Sequence, residues 1–315
     1  MIRLERYRSE KRGEWDVFVK HARNSLFLFE RDYMDYHSDR FSDHSLLFYE
    51  EDELLAVLPA NERDGELHSH QGLTFGGLLI GEKAKQHSVN DCLEALAGYM
   101  KENGLHRLHY KCVPHVFHRQ PAEEDLYTLF RMGAVTEAVA ASTVIDLKNP
   151  YKMTKGRKAQ ISRARREGVS IRIAEEKEEY SRFIELENAV LSERHDTRAV
   201  HSAEELFLLH SRFPEQIRLY EALYGGELIA GCVVYVNPQT LHTQYMAANE
   251  TARQLGALDL AVAAVMEDYR ESHAFLDFGI STERDGKELN GGLIAQKESF
   301  GGRTNVYVRL GLEMG

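Results

Sequence analysis

The sequence predicts a mixed α/β protein of the α+β kind, made of two similar halves. Three observations carry this. The chain has 315 residues, and at about 150 residues per domain that is room for two domains. Runs that alternate apolar and polar residues interleave with longer stretches of helical periodicity. The order of these elements over 151–315 recurs, less cleanly, over 1–150, as expected after duplication. With 43% hydrophobic residues, 28% charged residues and six prolines, the chain has a soluble globular composition, and the disordered and fibrous classes fall away.

In the first half, Ile2–Tyr7 is an expected strand and Glu14–Ala22 an expected helix. A second helix is expected over Phe29–Phe41. Ser45–Tyr49, Leu54–Pro59 and Glu66–His70 follow as three strands. Val89–Asn103 has the spacing of an amphipathic helix and stops at Gly104. Leu105–Cys112 is a strand. Pro121 suits the first position of a helix, with Glu123, Glu124 and Asp125 in the first turn where acids complement the helix dipole. Thr143–Leu147 closes the half as a strand.

The second half begins with a basic run. Residues 151–168 hold seven basic side chains (Lys152, Lys155, Arg157, Lys158, Arg163, Arg165 and Arg166) and one acid, Glu167. Pro150 before it and Gly168 after it frame a helix, and the boundary between domains 1–150 and 151–315 falls here. Val169–Ala174 alternates as a strand. Tyr180–Arg194 carries Phe183, Leu186, Val190 and Leu191 on one helix face. Ser202, followed by Glu204 and Glu205, starts another helix. Ile217–Tyr224, Leu228–Val236 and Leu241–Ala247 read as strands, with a hairpin turn at Gly225-Gly226 and a stop at Asn237-Pro238. Leu255, Leu258, Val262, Val265, Met266 and Tyr269 then share a helix face. Ala274–Ile280 is a short strand, Leu293–Phe300 a short helix and Thr304–Leu312 a final strand. The order is β-α-α-β-β-β-α-β-α-β.

Charge and cysteine usage narrow the classes. The formal net charge is −11, which argues against a protein that coats nucleic acid through bulk charge. Without the run 151–168 the chain keeps 32 basic against 49 acidic residues. Its positive charge is therefore concentrated in one strip suited to an anionic group. Cys92, Cys112 and Cys232 are far apart and odd in number, so no disulfide framework or paired zinc motif is expected, in keeping with a reducing cytoplasm. Met1–Trp15 is crowded with charge and has no signal-like apolar region. Ala257–Met266 is too short to span a bilayer.

His106, His109, Cys112, His115 and His118 recur every three residues. A strand alternates every two, so His106 and Cys112 face one side and His109 the other. Pro114 then breaks the run, and no tetrahedral metal site is expected. His68 and His70 share a strand face without further ligands. No metal is expected.

The element order resembles that of the GNAT acyltransferase fold. A tandem pair joined by a basic helical segment is similar to the FemABX peptidyltransferase group and its acyltransferase relatives. The residues carrying the resemblance are RKAQISRARREGVSI, HTQYMAANETARQLGALDL and FLDFGIS…LIAQKESFGGR. The segments YKCVPHVFHRQPAEEDLY and SERHDTRAVHSAEELFLLHSRFP resemble bacterial GNAT proteins of no settled function. The resemblance covers nearly the whole chain.

It implies roles for named residues. The superfamily holds coenzyme A pyrophosphate on backbone N–H groups in a Gln/Arg-x-x-Gly-x-Gly/Ala loop. Here Arg253 and Gly256 fit and Ala257 follows, but Leu258 replaces the small final residue. The equivalent first-half turn, Gln71–Gly81, lacks the pattern, so the second half is the expected catalytic one. Tyr245, Met246 and Ala247 end the strand that would run beside the donor's pantetheine arm. Lys297 matches a lysine near the acyl-transfer centre of FemABX-like proteins, where a cation would stabilise an oxyanion. Glu187, Arg194, His195 and His201 lie where the acceptor would bind, with Glu187 or His195 placed to take the amine proton. Asp277, at a strand end, is a substrate-site candidate. Acyl-CoA is the implied donor and an amine the acceptor. The alternative donor is aminoacyl-tRNA docked on 151–168. The competing class is a non-catalytic binding protein on the same scaffold.

Overall fold

The computed structural model describes residues 1–195 and 199–314, with only the backbone of Arg194 and His195. The chain forms two compact units. One comprises Met1–Ala141, Thr282–Leu289 and Val306–Gly315, the other Ser142–Ser281 and Asn290–Asn305.

The first unit runs β1 (Ile2–Arg6), α1 (Arg12–His21), α2 (Arg31–Met34), β2 (Ser42–Asp43), β3 (Leu46–Glu50), β4 (Glu53–Leu58), β5 (Asn61–Arg63), β6 (Glu66–His68), β7 (Leu79–Ile80), α3 (Gln86–Glu102), β8 (Arg107–Lys111), α4 (Glu124–Arg131) and the start of β9 (Val135–Asp146). One sheet has the order β1-β3-β4-β7. In the other, β6 lies parallel to β8, with His68 opposite His109. Helix α3 turns Val89, Cys92, Leu93, Leu96 and Met100 inward, the i, i+3, i+4, i+7 stripe that a core-facing helix needs. These side chains join Leu46, Phe48, Leu67 and Leu108 in one apolar cluster.

The expected helix over Phe29–Phe41 is replaced by the single turn α2 between short 3-10 turns at Phe27–Phe29 and Asp35–His37. The reason is tertiary. The Arg31 guanidinium is buried over the rings of Tyr7 (3.3 Å) and Trp15 (4.2 Å), and the Trp15 indole N–H donates to the Phe29 carbonyl at 2.8 Å. These contacts override local helical spacing. Helix α4 begins at Glu124 rather than at Pro121.

The second unit contains the end of β9, α5 (Lys155–Arg166), β10 (Ser170–Ala174), α6 (Lys177–His195), α7 (Ala203–Arg212), β11 (Ile217–Tyr224), β12 (Glu227–Val236), β13 (Thr240–Ala248), α8 (Glu250–Leu255), α9 (Ala257–Tyr269) and β14 (Phe275–Ile280). A hairpin, β15 (Thr282–Glu283) with β16 (Glu288–Leu289), belongs to the first unit, and α10 (Gly291–Glu298) to the second. The last strand, β17 (Arg303–Glu313), starts in the second unit and ends in the first, where it pairs with β8 and sends Leu312 into the core.

The second unit's sheet has the order β10-β11-β12-β13-β14-β9. Its pairs are antiparallel except β13 with β14. Neighbouring residues on a strand face opposite ways. Gly231 of β12 meets α6, where an added Cβ would stand 2.6 Å from the Phe183 ring. Cys232, one residue on, packs with Val262 and Val265 of α9. Helices α6 and α9 therefore cover opposite faces. The single patterned helix expected near 255–269 is broken into α8 and α9. Asn249 caps α8 by accepting from the Ala252 N–H, and Gly256 turns the chain at φ 77°, a conformation that glycine adopts at little cost. Helix α7 starts in a full capping box between Ser202 and Glu205, worth about 1 kcal/mol. The basic helix α5 is capped by Thr154. All three cysteines are buried and free. Among the described residues, no helix is long and apolar enough to cross a membrane.

Candidate functional site

Two parallel strands part in the second unit. The β13–β14 register covers Thr240–Phe275, Leu241–Leu276 and His242–Asp277 and goes no further. Past that point β13 runs on to Ala248 with β12 on one side only, while β14 continues to Ile280. A wedge thus opens beyond the carboxyl ends of a parallel pair, the favoured place for a ligand in a sheet of this kind. It leaves backbone N–H and C=O groups of β13 without a strand partner.

Polar side chains fix its apex. Asp277 is fully buried. Its carboxylate accepts from the His242 Nδ1–H at 2.7 Å, from the Gly279 N–H at 3.0 Å and from the Ser142 hydroxyl. An anion held by three donors is stable without water. Gly279 takes φ 71°, so β14 kinks as it leaves the apex. On this lip Lys297 of α10 is 5% exposed. Its Nζ donates to the carbonyls of Gly279 at 2.9 Å and Ile280 at 2.7 Å. Burial pushes the Lys297 pKa down to about 8, and Asp277 opposes that shift. An ammonium has three donors, so two carbonyls leave one N–H for a ligand.

The other lip is β13. Val233 faces Tyr245 while Val234 faces Thr243, so Gln244 is the extra residue of a bulge, the device by which strands re-aim side chains beside sites. The Tyr245 hydroxyl is hydrogen-bonded to His201 Nδ1, just ahead of α7. Helix α6 packs on β12 and β13 and carries Glu187, which is 7% exposed. Among the described residues its Oε2 has no hydrogen-bond partner, and neither do Thr243 Oγ1 and Gln244 Oε1 on β13. Burial raises the Glu187 pKa to about 7. Buried polar atoms without partners are rare and mark places where a ligand or water completes the bonding.

The structure brings together Lys297 and Asp277 around Gly279, and Tyr245 with His201. It sets Met246 and Ala247 on the stretch of β13 that pairs with β12 but not with β14, with Ala247 buried. Glu187 stands on the helix above them. Arg194 and His195 end α6, and their side chains lie outside the described residues. The phosphate-loop candidates follow directly on the end of β13. Arg253 is tied to Glu250 at 2.8 Å and to the Ala248 carbonyl at 2.9 Å. Gly256 and Ala257 are buried. A Cβ on Gly256 would meet the Gln160 carbonyl of α5 at 2.7 Å. Arg157 of α5 binds Asp259 in the first turn of α9, so α5 closes the start of that helix. Sequence reasoning missed His242, Ser142 and the Gln244 bulge. Nothing local links His242 to Asp277, 35 residues apart; only the parallel register does.

Residues 152–285 match the family model described as an acetyltransferase (GNAT) domain. No curated protein matches the chain. Among solved structures it resembles FemX, with a TM-score of 0.68 at 11% identity over 99% of this chain and 96% of that one. It also resembles the C-terminal domain (DUF2156) of a putative lysylphosphatidylglycerol synthetase from Agrobacterium fabrum, with a TM-score of 0.61 at 12% identity over 97% and 92%. A third likeness is to a tandem GNAT protein from the clavulanic acid biosynthesis pathway, with a TM-score of 0.54 at 15% identity over 100% and 99%. The chain thus has a GNAT-type fold in tandem form.

Proposed function

We propose that the second unit is an N-acyltransferase: it moves an acyl group from an activated donor to an amine. The observation that carries this reading is the parting of β13 from β14, with a buried lysine on one lip and, on the helix above the other, a buried carboxylate with one oxygen unpartnered among the described residues. The donor lies along the unpaired backbone of Thr243–Ala248, where amide groups meet amide groups as in strand addition. The acceptor amine enters beneath α6. Glu187, with a pKa near neutrality, takes the amine proton as the nitrogen attacks the carbonyl carbon. The third Lys297 N–H stabilises the resulting oxyanion. Collapse breaks the bond from carbon to the leaving thiol or hydroxyl oxygen, and the Tyr245 hydroxyl, held by His201, supplies its proton. His195 and Arg194 belong to the same acceptor region by chain position.

Acyl-CoA is the first donor class, with Met246 and Ala247 beside its pantetheine arm and Arg253, Gly256 and Ala257 toward its phosphates. An amine on a cell-envelope precursor or an amino sugar fits the acceptor. The second reading takes an aminoacyl-tRNA donor. It is favoured by α5, which closes the start of α9 and leaves Lys155, Lys158, Arg163, Arg165 and Arg166 exposed. Such a donor needs no pyrophosphate loop and gains from a basic strip.

Thermal unfolding with each donor tests both. A ligand that binds only the folded chain raises Tm by mass action, about 2.7 kcal/mol at a hundredfold excess over Kd. Acetyl-CoA or a longer acyl-CoA is expected to raise Tm. No shift at millimolar acyl-CoA, together with salt-sensitive tRNA binding lost in R163E/R165E/R166E, would transfer the proposal to the second donor. Absence of both responses sinks the transferase assignment.

A further inference from the structure

The geometry points to a divalent-metal site on the first unit, formed by Glu66, His68 and His109 and suited to Zn²⁺. It rests on none of the residues assigned to acyl transfer. The parallel pairing of β6 with β8 sets His68 directly opposite His109. Glu66 lies two residues before His68 and shares its face. The two imidazoles stack with centroids 4.5 Å apart and planes at 5°. Glu66 Oε2 stands 3.0 Å from His109 Nε2 and 3.8 Å from His68 Nε2. One donor atom from each of the three side chains lies within 4.8 Å of the others. Two ligand atoms on a tetrahedral zinc, each about 2.0–2.1 Å from the metal, stand about 3.3 Å apart. The two measured separations bracket that value.

The surroundings are those of a metal-binding histidine. His109 Nδ1 meets Glu137 of β9 at 3.2 Å. Glu137 is itself fixed by Arg107 at 2.7 Å and Arg309 at 3.1 Å. His109 has a carboxylate at each ring nitrogen, Glu137 at Nδ1 and Glu66 at Nε2; with a metal bound, Glu137 would hold the Nδ1 N–H and Nε2 would be the ligating atom, the usual outer arrangement around a ligating imidazole. Charge agrees with a dication. Glu66, Glu137, Asp285 and Glu313 are the carboxylates of the network, against the guanidiniums of Arg107 and Arg309. Lys111, next on the same face of β8, is turned to the carbonyls of His70, Gln71 and Leu73. Two imidazoles and a carboxylate match borderline cations such as Zn²⁺ rather than Mg²⁺ or Ca²⁺. Glu66, His68 and His109 are each partly exposed, so a fourth position faces solvent and takes water or an external oxygen or nitrogen donor.

The test is zinc titration of the full chain after removal of metal with a chelator. Stoichiometry is read by calorimetry and site chemistry by the visible spectrum of the Co²⁺ form. One metal per chain, a raised Tm and a four- or five-coordinate Co²⁺ spectrum are expected. Glu137→Gln removes no ligand and should weaken binding about 10- to 100-fold. Glu66→Gln and His68→Gln should weaken it by more, with the metal-free Tm confirming that each variant folds. Failure to bind zinc overturns the site. Binding that these three substitutions leave unchanged overturns it equally, and Glu66, His109 and Glu137 are then an ion-pair cluster alone.

Discussion

Substituting Glu187 by Gln separates burial from chemistry at the wedge. The wild-type carboxyl sits under α6 with one oxygen unpartnered among the described residues, and its pKa rises from 4.5 to about 7 through burial. At about 1.4 kcal/mol per pH unit, ionising it in the folded chain costs about 3 kcal/mol relative to the unfolded chain. The sign follows from proton counting: between the unfolded and folded pKa values the folded state binds more protons, so stability falls as pH rises. The loss begins near pH 4.5, reaches about 2 kcal/mol at pH 6 and levels off above pH 7 at about 3 kcal/mol. Gln keeps the shape and cannot ionise. Urea unfolding of wild type and Glu187→Gln at pH 5, 6, 7 and 8 should show the difference curve rising in favour of the variant by that amount. Turnover with a competent donor should fall about 10²- to 10⁴-fold in the variant, with loss of the rising limb near pH 7 in the rate profile. Parallel stability curves at all four pH values would refute the burial argument. Full turnover would refute the base role.

Lys297→Met should lower turnover about 10²- to 10³-fold. Because the Lys297 pKa is lowered to about 8, the unfolded chain binds more protons between pH 8 and its ordinary 10.5. Wild-type stability should therefore gain over that window and the variant should lack the gain; equal pH dependence in stability measurements would contradict it. Gly256→Ala places a methyl 2.7 Å from the Gln160 carbonyl at φ 77°, so the midpoint of urea unfolding should drop by at least about 1–3 kcal/mol equivalent. Unchanged stability would show that α5 does not close on this turn.

Much of the architecture was legible in the sequence. The second unit's strands and helices fall where alternation and helical spacing put them, because each buries one face against a sheet and the pattern records which face. Helix α7 follows Ser202 and Glu205, a capping signal that needs no neighbours. The expected Phe29–Phe41 helix does not form because Arg31, Tyr7 and Trp15 meet only after folding. The candidate site was legible in part. The resemblance points to Lys297, Glu187, Tyr245, His201 and Asp277 as candidates, yet no local pattern tells that Asp277 binds His242 and Ser142. The histidines show the same limit. The every-third spacing over 106–118 says nothing of His68, which stacks on His109 from 41 positions away.

The sequence by itself determined most of the element order, the tandem character and the basic helix, since these depend on periodicity and composition along the chain. Tertiary structure alone decided where β13 leaves β14, which carboxyl is stranded under α6, which glycine lies beneath α5 and which imidazoles face one another. Each of those depends on pairing between segments far apart in the chain, and a strand's register to its partner is set by packing across the sheet, not by the strand's own residues.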